Sequence, residues 1–347
     1  MWSRGFRGSG IFRIRCVRVA CSLQSKNDAD HEEEQQEVGH RGTMYSLSEI
    51  RRGLTEPRTA LREMNRLCHT RGGRRPYNPR GIDVFEADWD NLVILDACRY
   101  DSYEEATTFD GRLERRTSRA GATSEFVRAN FSQRTLHDTV YVTANSWYLR
   151  LADELGSELH NVVDLHMHPD GRYHDEEVGI VRPEVLTDRA IDVADEYPNK
   201  RLIVHYIQPH HPFLGPTGRE HFDLPSSSME AVLDDAGNPP PSLVRRAYRE
   251  NLSIALDSVE RLVDALIGKT VISADHGEML GERHDFVPIR DYGHHVGIYC
   301  DVLTEIPWHI LKWESRKEIV LERPRGDHYD VDPERLDRRL ADLGYIT

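Results

Sequence analysis

Thr270-Val-Ile-Ser-Ala-Asp-His-Gly-Glu278 is the stretch on which the fold turns. Thr270 to Ala274 is a short β-branched, apolar run that reads as a buried strand, and Gly277 permits a sharp exit from it. Asp275 and His276 stand at its carboxyl end, which in an open α/β sheet is the edge where ligands bind. A carboxylate beside an imidazole suits Mn²⁺ or Zn²⁺ better than Mg²⁺. A plainer reading has Asp275 capping a following helix while His276 packs or faces solvent. A second strand of the same kind shifts the balance. Asn91-Leu-Val-Ile-Leu-Asp96 again runs apolar residues into an acid. Two buried strands that each deliver a carboxylate to one sheet edge can build a metal site from distant sequence. Asp101, close behind, reads instead as a helix cap or a partner for Arg99.

Composition narrows the function classes. The 347 residues suffice for one large α/β domain or two small ones. Asp and Glu number 59 against 45 Lys and Arg, a formal net charge of −14, and Lys occurs only at positions 26, 200, 269, 312 and 317. An acidic, Lys-poor chain argues against nucleic acid as a primary partner and fits a protein working in high salt, though a GC-rich genome would also favour Arg over Lys. Cys16, Cys21, Cys68, Cys98 and Cys300 are scattered and form no CxxC pair, which points to a reducing, cytoplasmic setting. No apolar run reaches the length that crosses a bilayer, so the chain reads as soluble. Nothing in the sequence sets an oligomeric state.

Three segments differ in character. Residues 1–43 open with an Arg-containing, acid-free stretch to Lys26, followed by an acidic run from Asp28 to Glu37; they read as a disordered extension, or as translation upstream of a true start at Met44. Residues 44–85 read as a helical segment and linker: Ser46-Leu-Ser-Glu49 has the form of a capping box, and a helix from Pro57 runs to Gly72-Gly73. Residues 86–347 read as the main domain. Its pattern predicts strands over 91–96, 113–118, 139–144, 161–165, 201–207, 270–274 and 306–313. Helices are predicted over 102–107, 125–131, 183–197, 242–267 and 332–343, with 215–241 a long loop over the site. Strands alternating with helices indicate α/β architecture, a largely parallel central sheet covered on both faces.

Candidate chemistry gathers in the loops after the strands. Arg119-Ala-Gly-Ala-Thr-Ser124 opens a helix, and backbone N–H groups at a helix start attract anions. A Thr123 or Ser124 hydroxyl there could bind a metal, lose its proton and attack phosphorus or sulfur; either could equally be only the helix N-cap. His210-His211 follows one strand, and His294-His295 lies in Tyr292-Gly-His-His-Val-Gly297. One of each pair is placed to contact the transferred group or protonate a leaving oxygen.

Leu95-Asp-Ala-Cys-Arg-Tyr-Asp101, His210-His-Pro-Phe213 and Ala274-Asp-His-Gly-Glu-Met-Leu-Gly-Glu282 together resemble the motifs of the sulfatase-like branch of the alkaline phosphatase superfamily, in that family's order, over residues 90–313. The resemblance implies a metal-dependent hydrolase or transferase of phosphate or sulfate esters, acting on a small-molecule or glycan ester through a covalent intermediate. It implies Asp96, Thr123, Asp275 and His276 as metal ligands, Thr123 as the nucleophile, and His210 and His294 as groups on the substrate's oxygens. The formylglycine motif of sulfatases proper is missing, because Cys98 is not followed by Pro. An Asp, Thr, Asp and His set is similar to the single-Mn²⁺ site of phosphoglycerol and phosphoethanolamine transferases, so one Mn or Zn ion is expected rather than Ca. Gln208 and Pro209 stand where two-zinc relatives place an acid and a His. The alternative is a sulfatase-like protein without catalysis that binds anionic glycans or a partner. A mutase-type relative would need a larger cap than 215–241 provides.

Overall fold

The computed structural model describes residues 57–222, 228–324, 332–342 and Gly344. The capping-box expectation at Ser46 and the reading of residues 1–43 lie outside them. In chain order the elements are α1 (Pro57–Thr70), β1 (Asn91–Leu95), α2 (Tyr100–Ala106), β2 (Gly111–Thr117), α3 (Thr123–Phe131), β3 (Thr135–Thr143), α4 (Trp147–Leu155) and β4 (Glu158–Asp164). There follow α5 (Pro183–Glu196), β5 (Arg201–Tyr206), α6 (Pro216–His221), α7 (Met229–Asp235), α8 (Pro241–Ala265), β6 (Thr270–Ala274), β7 (Met279–Arg283), β8 (Arg290–Gly293), α9 (Asp301–Thr304), β9 (Glu305–Leu311) and α10 (Pro333–Asp342).

Seven strands form one sheet in the order β2-β9-β6-β1-β5-β3-β4. The five strands from β6 to β4 are parallel; β9 runs antiparallel to both β6 and β2. Their sequences explain the burial. Along β1, Leu92 and Ile94 face one apolar cluster and Val93 and Leu95 the other, as the two-residue period of a strand requires. Helices α5 and α8 cover one face through Leu186, Ala190, Leu252, Ala255 and Val259; α3 and α4 cover the other through Phe126, Phe131, Tyr148 and Leu151. The doubly covered, largely parallel sheet is therefore the architecture observed.

Several elements differ from the sequence reading. α4 was not expected, although Tyr148, Leu151 and Leu155 recur at helical spacing and Gly156 ends the helix at φ 54°. The stretch 215–241, expected as a loop, carries α6 and α7 among its described residues; Ser228 caps α7 by accepting the Ala231 N–H at 3.2 Å. No helix follows β6. The chain enters the β7–β8 hairpin instead, so Asp275 caps nothing.

One buried acid away from the site gives a stability prediction. Asp164 ends β4, and its Oδ1 accepts from Met167 N–H (2.9 Å) and Ser146 Oγ–H (3.1 Å), while Oδ2 accepts no hydrogen bond. Burial pushes its carboxyl up to about 6. The folded chain thus holds a proton that the unfolded chain releases near pH 4, so stability is lost as pH rises through about 6. Asp164→Asn should abolish this loss. Urea unfolding should show the variant gaining on the order of 2–3 kcal/mol over wild type between pH 4 and pH 7.

Candidate functional site

The three central strands end level. Leu95 lies opposite Tyr206 on one side and Ala274 on the other. Asp96, the 207–211 loop and Asp275-His276 therefore emerge together at the carboxyl edge, with Asn145 following β3 one strand further along. This is the edge at which a parallel sheet binds its ligands.

Asp96, Asp275 and His276 are fully buried. Asp96 Oδ2 accepts from Asn145 Nδ2 at 2.8 Å. Asp275 Oδ1 accepts the N–H groups of Ala97 (3.1 Å) and His276 (2.8 Å), which fixes the carboxylate plane. His276 Nδ1 lies 2.8 Å from Gly277 O, so Nδ1 carries the proton and the Nε2 lone pair faces the site. That lone pair is 3.3 Å from Asp275 Oδ2 and 3.6 Å from Asp96 Oδ1. The turn behind Asp96 holds Ala97 at φ 60°, and Tyr248 braces it, its hydroxyl donating to Ala97 O (2.7 Å) and accepting from Arg99 N–H (3.0 Å).

Thr123 comes to this group from the opposite wall. It is the first residue of α3, and Ala122 occupies the N-cap position without any side-chain bond. The N-cap reading of Thr123 and Ser124 is therefore overturned; the Thr123 hydroxyl is left for the site. Its Oγ1 stands 3.1 Å from His276 Nε2 and 3.4 Å from both oxygens of Asp96. Gly121 makes this approach possible, because a Cβ there would lie 2.3 Å from Ile298 O. Glu125 then ties the turn down, accepting Gly121 N–H at 2.8 Å and the Tyr299 hydroxyl at 2.5 Å.

A second group adjoins the first. His210, Glu278 and His294 present ligand atoms within 4.8 Å of one another. The His294 ring lies 4.4 Å from that of His276 and 5.0 Å from that of His210, which joins the two groups. His210 Nδ1 is 2.6 Å from His211 O, which turns Nε2 of His210 away from the backbone. Glu278 is fully buried and its Oε1 accepts no hydrogen bond. Burial holds His205, His210 and His294 down to about 4, pushes Glu278 up to about 7, and raises Asp275. The imidazoles are thus neutral, as metal ligands must be.

All six sequence candidates meet here: Asp96, Thr123, His210, Asp275, His276 and His294. Of the histidine pairs, His211 stacks on His210 at 4.1 Å, and His295 turns to Asp291 at 3.2 Å. Asp101 is held by Arg99 at 2.6 and 2.9 Å and stays outside the site. Sequence reasoning missed Glu278, Asn145 and His205. The signals were present: Glu278 closes the Asp-His-Gly-Glu run, Asn145 follows β3 much as Asp96 follows β1, and His205 is a polar residue inside an apolar strand.

No protein-family model matches the chain, and no curated protein matches it. Among solved structures, it is similar to an integral membrane lipooligosaccharide phosphoethanolamine transferase A from Neisseria meningitidis, with 14% identity over 64% of this chain and 47% of that one and a TM-score of 0.43. It is also similar to a phosphonate monoester hydrolase from Silicibacter pomeroyi, with 15% identity over 73% and 72% of the two chains and a TM-score of 0.40. A 2-O GAG sulfatase gives 15% identity, 74% and 70% coverage and a TM-score of 0.37. The chain spans about half the length of the Neisseria transferase. No helix among the described residues is long and apolar enough to cross a membrane.

Proposed function

We propose that the chain is a metal-dependent phosphoester hydrolase or phosphotransferase that uses Thr123 as its nucleophile on a small-molecule or glycan ester. The single observation that carries this reading is the convergence of Thr123 Oγ1, two buried carboxylates and the His276 Nε2 lone pair within 3.1–3.6 Å. The Thr123 hydroxyl can donate to only one of these acceptors, and Asp275 Oδ2, which accepts no hydrogen bond, faces the His276 lone pair at 3.3 Å, a repulsion that a cation among them would relieve. Asp96, Thr123, Asp275 and His276 would hold that cation, and the mixed carboxylate and imidazole donors favour Zn²⁺ or Mn²⁺ over Ca²⁺.

The sequence led to an expectation of one ion, with His210 and His294 acting directly on the substrate's oxygens. Glu278 changes that expectation. A carboxylate oriented with two neutral imidazoles is a second donor set, and we assign His210, Glu278 and His294 to a second divalent cation. A bound divalent cation supplies Lewis-acid stabilisation of the transferred group and lowers the pKa of a hydroxyl beside it. The chain's own part follows from its geometry. Without a cation the Thr123 hydroxyl bonds to Asp96 at 3.4 Å or His276 at 3.1 Å; with those lone pairs on a cation, its proton would pass to solvent water. Attack by Oγ1 would form an O–P bond as the ester P–O bond breaks, the departing oxygen taking a proton from water, and water or an acceptor alcohol would then form its own O–P bond as the Oγ1–P bond breaks, its proton restoring the hydroxyl. Asn145 holds Asp96, and the Ala97 and His276 N–H groups hold Asp275, so neither carboxylate reorients during the step.

Metal content and turnover of aryl phosphate monoesters, diesters and aryl sulfate test this function. Two equivalents of Zn or Mn are expected, with chelation abolishing phosphoester turnover. Glu278→Gln should retain the first equivalent and lose the second, with turnover falling about 10²-fold or more. Full turnover after exhaustive chelation would refute the reading.

A further inference from the structure

α1 lies on the hairpin whose ends carry Glu278 and His294, and the way it does so is unusual for a surface helix. None of its side chains belongs to a buried apolar cluster among the described residues. Its buried residues are Asn65 and Thr70, and Met64 is half exposed. Its docking is polar, and the bonds fall on residues 284–297, apart from the pair that Arg62 Nη2 makes with Glu230 in α7.

Arg62 donates from Nε and Nη2 to the two oxygens of Asp291 in β8, each at 2.7 Å. Asn65 accepts the Val287 N–H at 2.9 Å and donates to Val287 O at 3.1 Å. Arg58 donates to Arg290 O at 2.9 Å, and His69 meets the Phe286 ring edge-on at 4.9 Å. Gly297, at φ 77°, packs so closely that a Cβ would lie 2.9 Å from side-chain carbons of Arg66 and Thr70. His294 sits between these fixed points.

Asp291 also gathers two histidines, His284 Nε2 at 2.8 Å and His295 Nε2 at 3.2 Å. Two imidazoles and a carboxylate have the composition of a metal site. The guanidinium argues otherwise: it engages both Asp291 oxygens as a bidentate fork and already supplies the positive charge a cation would bring. The cluster is organised around Arg62. Its consequence lies next door, because His295 adjoins His294 in sequence and Asp291 is separated from it only by Tyr292 and Gly293.

We propose that Arg62 and Asp291 are positioning residues: by fixing β8 and the turn after it, they set His294 against Glu278 and His210 and so determine the affinity of the second cation position. The proposal rests on the two-cation reading above. Neither residue touches the reacting atoms; both act through His294, as the outer partners of a metal ligand do.

The test is a Zn²⁺ titration of the full-length, metal-free chain against a chromophoric chelator. It compares wild type with Arg62→Ala, Arg62→Lys and Arg261→Ala, the last removing an exposed pair with Asp188. Wild type should take up two equivalents. In Arg62→Ala the first should bind within about threefold of wild type and the second about 10–100-fold more weakly. Arg62→Lys should fall between them, since an ammonium reaches one Asp291 oxygen but cannot make the fork. Arg261→Ala should match wild type. Two equivalents bound as tightly by Arg62→Ala as by wild type would overturn the positioning role alone. A single equivalent in wild type would overturn the two-cation reading and this proposal with it. Should Arg62→Ala lose cooperative unfolding, Asn65→Ala loosens the same docking while leaving Asp291 paired. Weakening of the second equivalent alone in that variant supports the proposal, and equal loss of both contradicts it.

Discussion

Thr123→Ala should lose turnover by about 10³-fold or more, while the protein keeps its fold and a weakened capacity for metal. The expected size follows from what is removed: the atom that forms the covalent bond, with no second hydroxyl contact to His276 in its place. The fold should persist because Ala122, not Thr123, stands at the N-cap of α3, so the substitution deletes no helix cap. Chemical denaturation should therefore place the variant within about 1 kcal/mol of wild type. Thr123→Ser should recover part of the activity, since it restores an oxygen at the same branch point without the methyl group. Steady-state kinetics on an aryl phosphodiester, together with one unfolding curve per variant, decides the matter. Activity retained in Thr123→Ala and lost in Ser124→Ala would move the nucleophile by one residue.

Asp275→Asn should act in opposite directions on metal binding and on metal-free stability. Loss of a charged ligand should weaken the first cation by more than the about 10–100-fold typical of an outer partner, and turnover should fall with it. The metal-free protein should become more stable. Burial raises the Asp275 carboxyl, and its Oδ2 lies 3.3 Å from the His276 lone pair, an unfavourable pairing of acceptors. The variant keeps an oxygen for the Ala97 and His276 N–H groups and can place an amide N–H toward His276 Nε2. Thermal melting with chelator should thus give a higher Tm for the variant, and melting with Zn²⁺ should reverse the order. A variant less stable than wild type in both conditions would make Asp275 a structural residue. Such opposition between function and stability is expected where a site assembles like charges in advance of its ligand.

The sheet and its active edge were legible because β1, β5 and β6 are short apolar runs whose polar residues begin where the strands end. The first donor set was readable for the same reason, since Asp96, Asp275 and His276 each follow a buried strand directly. Thr123 was readable as a position but not as a role, because a hydroxyl at a helix start serves as cap or nucleophile equally well in sequence. Only the backbone, which puts Ala122 at the cap, removes the capping alternative. Glu278 closes the Asp-His-Gly-Glu run without a local sign of its surroundings. Its role depends on the β7–β8 hairpin bringing His294 back to it, a pairing between Met279 and Gly293 that no local pattern announces. The docking of α1 was illegible for a related reason. It is made by Arg62, Asn65 and Arg58, residues that in sequence look like the solvated face of a helix.

The most direct measurement is peptide mass spectrometry of the metal-loaded protein, acid-quenched during turnover of an aryl phosphodiester. A phosphoryl group on Thr123, present in wild type and missing in Thr123→Ala, is the expected result. Steady turnover with no adduct on the peptide containing Thr123, or an adduct on Ser124, would contradict the account.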